Sequence, residues 1–415
     1  MVVMNVAMTR VCVIGLGYIG LPTAVLAARH GMRVFGVDVN GAVVAGVNAG
    51  RSHVLEPELD GLVGRVVAEG RLTAHAAPQP ADVFVIAVPT PLGEGRRPVL
   101  AHVHDALRGL APVLAPGNLV ILESTSPVGT TAGLGRMLAG LRPDLRVPGL
   151  AEEADIALAY CPERVLPGRI LAELVGNDRC VGGVTPACAA AAAGFYEAFV
   201  RGEVLRSDAA TAELVKLTEN AFRDVNIAFA NEMSLVAARA GVDVWELIRL
   251  ANRHPRVNIL QPGPGVGGHC IAVDPWFIVD AAPEEARLIR TAREVNDHKA
   301  VHVRAQVAEA ARAMPGAPIT CFGLAFKPDV ADLRESPALE IALGLAAEFP
   351  GRVVAVEPHV AAVPGLELLG LAAGLERAGI FVLLVDHAAF RAVGRERLVG
   401  RFVVDTRGVW RGGGV

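Results

Sequence analysis

The sequence predicts an α/β protein with two Rossmann-like, doubly wound parallel-sheet domains joined by a long central helix. Three observations support this prediction. Short apolar runs alternate with helical stretches near the start of the chain, the same alternation returns near its end, and one long helical stretch lies between them. Strands that alternate with helices form parallel sheets whose two faces the helices cover.

The first alternating series begins with strands predicted at residues 11–14 and 34–37, separated by a helix predicted over residues 21–30. Further strands are predicted at 83–88 and 119–122, and a polar or proline-rich turn stops each of them. These elements together indicate the first parallel sheet.

One long helix is predicted over residues 207–240, because this stretch lacks Pro and Gly and ends at Gly241. Residues 253–275 contain Pro and Gly throughout and are predicted to form a loop. The second series has strands predicted at 319–322, 353–356, 381–385 and 402–404. Its first turn lacks the GxGxxG glycines, so we expect this domain to hold a nucleotide-bearing substrate rather than a dinucleotide.

The composition excludes several classes of function. The chain has 415 residues, 20% of them charged, and a net charge of −4, which provides no basic surface for nucleic acid or an anionic membrane. No apolar stretch reaches the length of a membrane span, and the first ten residues are too few for a signal peptide. The six cysteines are scattered without a CxxC pair, which favours a reducing cytoplasm and argues against a disulfide framework or a zinc knuckle. No metal is expected.

A dinucleotide site is predicted at the start of the first series. Gly15, Gly17 and Gly20 form a GxGxxG motif that follows a strand and opens a helix, and Asp38 closes the next strand. The glycines allow the pyrophosphate to approach the helix, while the acid accepts hydrogen bonds from the adenosine ribose. An acid there repels a 2′-phosphate, so we expect NAD rather than NADP.

Two later turns are expected to close over the cofactor, since both follow predicted strand ends. They contain Thr90 and Thr125. Ordinary turn or helix capping is the alternative role for each threonine.

The glycine-rich segment 263–275 surrounds Cys270. A helix starting after Gly268 would place Cys270 in its first turn, where the helix dipole favours the thiolate, and Asp274 would share its face. We therefore predict that Cys270 is a nucleophile. The alternative is an inert buried thiol. That state is expected for Cys12, Cys180, Cys188 and Cys321.

Lys216 is one of three lysines in the chain, with Lys299 and Lys327. A lysine amine can titrate, whereas an arginine guanidinium stays charged, so lysine is expected where acid–base chemistry occurs. Asn220 and Arg223 follow Lys216 by four and seven residues, so the three side chains would line one face of a helix. This face is either part of a site or a solvated polar stripe.

Glu163 lies in a constrained loop and is predicted to be the general base for a hydrolytic water. The alternative is that its carboxylate simply pairs with Arg164 or another neighbour.

Long ordered motifs add a resemblance over nearly the whole chain. They are STSPVGT, CPERVLPG, ELVKLTENAFRDVNIAFANE, RHPRVN, GPGVGGHC and GLAFKPDVADLRESP. The chain resembles the UDP-glucose/GDP-mannose dehydrogenase family, and within it the branch that acts on UDP-N-acetylhexosamines. The UDP-glucose enzymes have a lysine directly before the aspartate of the cysteine motif, and here that residue is Val273.

The resemblance implies an NAD-dependent, four-electron oxidation of UDP-N-acetyl-D-mannosamine at C6, through a cysteine thioester, for surface polysaccharide synthesis. The implied catalytic residues are Cys270, Lys216, Asn220, Asp274, Glu163 and Thr125. The predicted cofactor-binding residues are Gly15, Gly17, Tyr18, Ile19, Gly20, Asp38, Thr90 and Thr125, to which the resemblance adds Arg334. The implied substrate-binding residues are Arg164, Val165, Lys216, Asn220, Arg223, His254, Arg256, Gly267, Phe326, Lys327 and Arg407.

The resemblance also implies a homodimer in which His254 and Arg256 reach the neighbouring subunit's site. The expected domains are an NAD-binding domain (1–203), a central helical dimerisation domain (204–300) and a UDP-sugar-binding domain (316–415). UDP-N-acetylglucosamine and UDP-glucose are alternative substrates. Two other classes stay open: a two-electron β-hydroxyacid dehydrogenase, and a catalytically silent NAD-binding scaffold.

Overall fold

A computed structural model of the protein describes residues 8–54, 56–166 and 168–410. The first ten residues were considered as a signal peptide, and residues 1–7 among them lie outside the described residues. The chain divides into two compact units, one extending to Thr218 and one beginning at Glu219. The division into three domains stays a prediction.

The first unit contains an eight-stranded sheet with the order β3-β2-β1-β4-β5-β6-β7-β8. Its strands are β1 (Arg10–Ile14), β2 (Arg33–Val37), β3 (Leu72–His75), β4 (Val83–Ile86), β5 (Leu119–Leu122), β6 (Ala157–Tyr160), β7 (Arg179–Gly183) and β8 (Val204–Asp208). Neighbouring strands are parallel except β6 and β7, which are antiparallel. The chain order reverses beside β1, which places the ends of β1 and β4 where ligands bind in open parallel sheets.

Helices cover both faces of this sheet. They are α1 (Gly20–Arg29), α2 (Gly41–Asn48), α3 (Leu59–Ala68), α4 (Ala101–Leu110), α5 (Thr130–Leu141), α6 (Ile170–Gly176) and α7 (Pro186–Tyr196). Successive residues of β1 enter different apolar clusters: Val11 and Val13 pack into one, and Cys12 and Ile14 into the other. Because both faces are buried there, the central strands β1, β4 and β5 are nearly continuous apolar runs rather than alternating ones.

Helix α8 (Ala209–Ala240) is 32 residues long and carries residues of both units. One of its faces is buried and polar. That face contains Glu213, Lys216, Asn220, Asp224 and Asn231. Buried polar groups must be hydrogen-bonded or paired with charge, so this face fixes specific partners rather than a loose apolar contact.

The second unit contains a five-stranded, fully parallel sheet with the order β11-β10-β9-β12-β13. Its strands are β9 (Ile319–Phe322), β10 (Val353–Val356), β11 (Glu367–Leu368), β12 (Ile380–Leu383) and β13 (Phe402–Asp405). Its remaining helices are α9 (Val244–Ala251), α10 (Asp274–Ala281), α11 (Arg287–Ala313), α12 (Pro337–Glu348), α13 (Leu371–Glu376) and α14 (Ala388–Arg391).

A buried polar network joins α8 to α11. Arg293 pairs with Asp224 at 2.7 Å, and the Asn296 amide donates to the same carboxylate at 2.8 Å. Asn231 donates to Asn296 at 2.9 Å and accepts the Gly263 N–H at 2.9 Å. The network therefore fixes the point at which the glycine-rich segment begins.

The predicted fold class is confirmed. The strands predicted at 119–122, 319–322 and 353–356 have the predicted bounds, and the helix predicted at 21–30 is shifted by one residue. The helix predicted from residue 207 begins at Ala209 instead, because Val204–Asp208 pairs with β7 as a strand. Among the described residues, no helix is both long and apolar enough to cross a membrane.

Candidate active site

The glycine turn of the first unit has the geometry of a dinucleotide site. A Cβ on Gly20 would lie 1.8 Å from the Gly15 carbonyl oxygen, so a side chain there would prevent the tight turn. A Cβ on Gly17 would meet no described atom within 4 Å, which leaves open space above the turn. Tyr18 is exposed and Ile19 is the residue before α1. The turn can therefore bring a pyrophosphate against the start of α1.

The Asp38 carboxylate is held at the end of β2. One of its oxygens accepts the Leu16 N–H at 3.0 Å, and the other accepts the Asn40 N–H at 2.8 Å. These contacts fix the carboxylate beside the glycine turn, as recognition of the adenosine ribose requires.

Thr90 and Thr125 follow the neighbouring strands β4 and β5, and both are half-buried. A hydrogen bond from the Val88 N–H to the Ser124 hydroxyl, 3.0 Å long, ties the two turns together. Both threonines thus lie at the carboxyl edge of the first sheet, as predicted from the order of strands and turns.

Glu163 lies in the loop between β6 and α6. Burial raises the pKa of its carboxyl group, and the positive charge of Lys216 and the Val165 N–H, which donates to the carboxylate, act in the opposite direction. A raised pKa suits a general base, because the group can hold and release a proton nearer neutral pH. The Arg164 guanidinium donates to the Asp178 carbonyl oxygen.

Lys216 is buried on α8, with 7% of its surface exposed. Three residues earlier on the same helix, Glu213 accepts the N–H groups of Gly129 and Thr131 at 2.6 and 2.7 Å and the Thr131 hydroxyl at 2.6 Å. A carboxylate is favoured there because α5 begins at this point. The sequence analysis missed Glu213, although it lies three residues before Lys216, a spacing that places both side chains on one face of a helix.

A second buried cluster that sequence analysis missed surrounds Glu123. Its carboxylate accepts the Tyr196 hydroxyl at 2.6 Å and the Thr23 hydroxyl at 3.3 Å. Burial raises the pKa of Glu123, while the nearby charge of Arg179 lowers it. Because Thr23 lies on α1 and Glu123 lies two residues before Thr125, this cluster fixes the cofactor helix to the turn after β5.

The prediction that Cys270 lies in the first turn of a helix is wrong. Helix α10 begins at Asp274, and Cys270 lies in the turn before it. Its carbonyl oxygen accepts the N–H groups of Val273 and Asp274 at 3.0 and 2.8 Å, so a single helical turn precedes α10. Gly268 adopts a positive φ of 83°, which keeps this residue out of a helix.

Cys270 is half-buried, unlike the other cysteines. Those five are Cys12, Cys161, Cys180, Cys188 and Cys321, and all are buried. Burial raises the pKa of the Cys12 thiol to about 11 and that of the Cys321 thiol to about 12, which disfavours the reactive thiolate. Partial exposure therefore distinguishes Cys270.

Asn220 and Asp274 are brought together, as the sequence predicted for members of one site. The Asn220 amide donates to the Asp274 carboxylate at 2.5 Å, and both residues are buried. This bond joins α8 to the first residue of α10, directly after the Cys270 turn.

Close packing explains the glycines before Cys270. A Cβ on Gly267 would lie 2.3 Å from the Glu335 carbonyl oxygen, and one on Gly268 would lie 2.9 Å from the Phe326 ring. Any larger residue would push this segment away from the loop that follows β9.

The same segment lines a cavity of about 320 Å³ in the second unit. Five predicted substrate residues line it: Arg223, Gly267, Phe326, Lys327 and Arg407. The Arg407 guanidinium donates to Asp386 at 2.7 Å, and the Lys327 amine lies 5.6 Å from the centre of the Phe326 ring. The described lining holds three cationic side chains and one carboxylate, Asp386, so its net positive charge favours an anionic ligand such as a diphosphate.

The other predicted residues lie elsewhere. His254 and Arg256 are exposed on the turn after α9, outside the lining of the cavity among the described residues. Arg334 is exposed and pairs with Asp332 at 2.6 Å. Arg164 and Val165 belong to the first unit. The roles predicted for these five residues stay predictions.

Comparison with known proteins assigns all three parts of the chain to one family. Residues 9–200 match the NAD binding domain of the UDP-glucose/GDP-mannose dehydrogenase family, residues 210–298 its central domain, and residues 320–412 its UDP binding domain. The chain belongs to this family. It is an NAD-dependent nucleotide-sugar dehydrogenase, and the glycine turn and Asp38 fit the cofactor.

Three similar proteins illustrate the relationship. An NDP-N-acetyl-D-galactosaminuronic acid dehydrogenase from Ralstonia nicotianae is 58% identical, and the match covers 96% of each chain. A UDP-N-acetyl-D-mannosamine dehydrogenase from Salmonella typhi is 54% identical over 97% of this chain and 99% of that one. The structure of UDP-D-ManNAc dehydrogenase from Pyrococcus horikoshii is 39% identical, with a TM-score of 0.87 over 98% of this chain and 97% of that one.

Asp38→Asn tests the cofactor geometry. We expect the KM for NAD to rise about tenfold to a hundredfold, because the substitution removes a charged acceptor for the ribose hydroxyls, and we expect the preference for NAD over NADP to shrink. Initial rates with each dinucleotide measure both effects. Asn40→Ala, which removes the cap of α2 but keeps the acid, is the control. An unchanged KM for NAD in Asp38→Asn would contradict the assignment.

Proposed function

We propose that the protein oxidises the C6 hydroxyl of a UDP-N-acetylhexosamine to a carboxylate, with UDP-N-acetyl-D-mannosamine as the first candidate substrate and surface polysaccharide synthesis as its purpose. One observation carries the proposal. The glycine segment that ends in the half-buried Cys270 also lines a cavity surrounded by Arg223, Lys327 and Arg407. A cationic cavity suits a nucleoside diphosphate, and an accessible thiol suits covalent capture of an aldehyde.

The proposed reaction removes four electrons. When bound, each of two NAD molecules accepts one hydride from C6. After the first oxidation the Cys270 thiolate adds to the C6 aldehyde and forms a thiohemiacetal, and the second oxidation makes this a thioester. Water then adds to the thioester carbonyl, the C–S bond breaks, and the carboxylate leaves while the thiolate is restored.

Lys216 and Asn220 have roles at the C6 oxygen in this proposal. They lie one helical turn apart on the buried face of α8. An ammonium and an amide N–H can stabilise the negative oxygen that develops at C6, and Lys216 can also accept the hydroxyl proton.

Glu163, Thr125 and Asp274 are proposed to order the hydrolytic water. The raised pKa of Glu163 supports its role as the base, because such a carboxylate takes up a proton from water more readily than an ordinary one. The roles proposed for Thr125 and Asp274 come from their match to the motifs of the family.

A second candidate sugar is UDP-N-acetylgalactosamine. The Ralstonia relative is named for a galactosaminuronic acid, whereas the Salmonella relative and the Pyrococcus structure are named for mannosamine. UDP-N-acetylgalactosamine differs from UDP-N-acetylglucosamine in configuration at C4, and UDP-N-acetylmannosamine differs from it at C2. Val273, where the UDP-glucose enzymes have lysine, makes UDP-glucose the weakest candidate.

We also propose that two copies associate along α8. Phe222, Phe229 and Val236 are spaced seven residues apart, and 68%, 52% and 52% of their surfaces are exposed. Apolar residues at heptad spacing form helix–helix seams. The exposed His254 and Arg256 would then be available to reach the substrate of the neighbouring subunit.

The reducing cytoplasm is the expected compartment, in keeping with the thiols of the chain.

The stoichiometry of the reaction tests the proposed function. We expect two NADH for each UDP-uronate, because both oxidations occur before product release. NADH absorbance and chromatography of the nucleotide sugars measure this ratio with UDP-N-acetylmannosamine, UDP-N-acetylgalactosamine, UDP-N-acetylglucosamine and UDP-glucose in parallel. The largest kcat/KM is expected for the mannosamine sugar. One NADH per turnover would indicate a two-electron enzyme, and no turnover with any of the four would refute the proposal.

Lys216→Met tests the role of the amine. We expect kcat to fall about 10²–10³-fold, since the loss of one oxyanion donor has this effect in other enzymes. Lys299→Met is the matched control, because Lys299 is also buried and its amine donates to the Ser234 hydroxyl at 2.6 Å. That variant should keep kcat near the wild-type value. Equal losses in both variants would show that the effect is structural.

A further inference from the structure

A histidine–carboxylate cluster lies at the carboxyl edge of the second sheet, apart from the residues assigned above. Asp329 follows β9, His359 follows β10 and His387 follows β12, and these three strands are adjacent and parallel. Loops from the ends of parallel strands converge at this edge, which is where such sheets bind ligands. The sequence motifs did not reveal the cluster, because its members are 30 and 28 residues apart.

The three side chains present one ligand atom each toward a common point. The Asp329 carboxylate oxygen lies 3.5 Å from His359 Nε2 and 3.7 Å from His387 Nδ1, and all three atoms lie within 4.8 Å of one another. Two imidazoles and a carboxylate suit zinc and its neighbours rather than magnesium or calcium, which prefer oxygen ligands.

The Asp329 oxygen lies slightly further from each imidazole nitrogen than two ligands of one bound ion would lie from each other. Tetrahedral zinc with bonds of about 2.0–2.1 Å holds its ligand atoms about 3.3 Å apart. Octahedral ligands at similar bond lengths are about 3.0 Å apart at right angles. The two distances from Asp329 are closer to the tetrahedral value. The His359 side chain is 36% exposed, and its ring centre lies 4.9 Å from that of His387, so the two imidazoles already lie side by side.

A buried carboxylate sets the correct tautomer of His387. The His387 Nε2 lies 3.1 Å from the Glu357 carboxylate. This carboxylate also accepts the backbone N–H of Leu324 at 2.7 Å and the backbone N–H of His359 at 3.0 Å. A proton on Nε2 leaves the lone pair on Nδ1, which accepts the Asp329 N–H at 2.9 Å. Nδ1 has a single lone pair, so a metal there would have to displace the Asp329 N–H. The Asp329 oxygen that faces the histidines already accepts the Ala388 N–H at 2.9 Å and has a second lone pair for a metal. A carboxylate behind a ligating imidazole is the usual outer partner in zinc sites.

We propose that Asp329, His359 and His387 form a zinc site with a water as fourth ligand, and that Glu357 orients its two histidines. The ion would hold together the loops after β9, β10 and β12. It would thereby fix the loop of Asp329, which also carries Phe326 and Lys327.

Zinc binding to tag-free protein tests this site directly. The background is Cys270→Ser, since the accessible thiolate could bind zinc itself. Equilibrium dialysis with Zn²⁺ alone should find one ion per chain with a Kd in the micromolar range or tighter. His359→Gln, at an exposed position, should abolish this binding, and Glu357→Gln should weaken it about 10–100-fold. Zinc at a hundred times its Kd should raise Tm by about 3 °C in the parent but not in His359→Gln.

The matched control is His298→Gln, because His298 and His302 lie four residues apart on α11 and form a rival two-histidine site. This variant should bind zinc as the parent does. The proposal is overturned if His298→Gln loses the ion, if His359→Gln retains it, or if the parent binds no stoichiometric zinc. None of these measurements depends on the sugar that the enzyme oxidises.

Discussion

The hydrogen bond between Asn220 and Asp274 is the contact on which the reactive part of the second unit depends. It is 2.5 Å long and joins two buried side chains, so the loss of either partner would remove a hydrogen bond from a desolvated polar group. Asp274 begins α10, and its N–H donates to the Cys270 carbonyl oxygen. One contact therefore anchors the turn of Cys270, the proposed nucleophile, to α8, the helix that also carries Lys216.

Helix α8 achieves this by burying a polar face. An ordinary amphipathic helix buries its apolar stripe. Here Glu213 accepts donors at the start of α5, Asp224 and Asn231 hold α11 and the glycine segment, and aromatic residues such as Phe222 are exposed. Such a helix forms specific hydrogen bonds on its buried face and leaves large apolar side chains exposed, where we propose that another subunit packs. The same arrangement supports both the proposed chemistry and the proposed dimer.

The sequence predicted the fold class and the cofactor turn well, because continuous apolar strands, GxGxxG and Asp38 are local signals with a direct physical meaning. It predicted wrongly that Cys270 opens a helix. The glycines permit positive φ, and the packing of Gly267 and Gly268 against the loop after β9 decides where α10 begins. That packing is a long-range contact, which no local pattern contains.

Buried polar groups were the hardest features to predict. Glu123 contacts Thr23 and Tyr196 from three distant parts of the chain, and Glu357 contacts His387 across thirty residues. Strands β3, β6, β7, β8 and β11 were also not recognised, since their sequences contain charged, polar or small residues instead of a run of large apolar ones. Such strands give a weak local signal, and their place in a sheet depends on partners distant in sequence.

Trapping the covalent intermediate tests the central claim most directly. Glu163→Gln slows hydrolysis if Glu163 is the base, so protein mixed with the UDP-sugar and NAD and then quenched in acid should carry the acyl group of the sugar. Mass spectrometry of the digested chain should find this group on the peptide of Cys270, and hydroxylamine should remove it. Continued formation of the uronate by this variant without an adduct on Cys270, or with the adduct on another residue, would contradict the account.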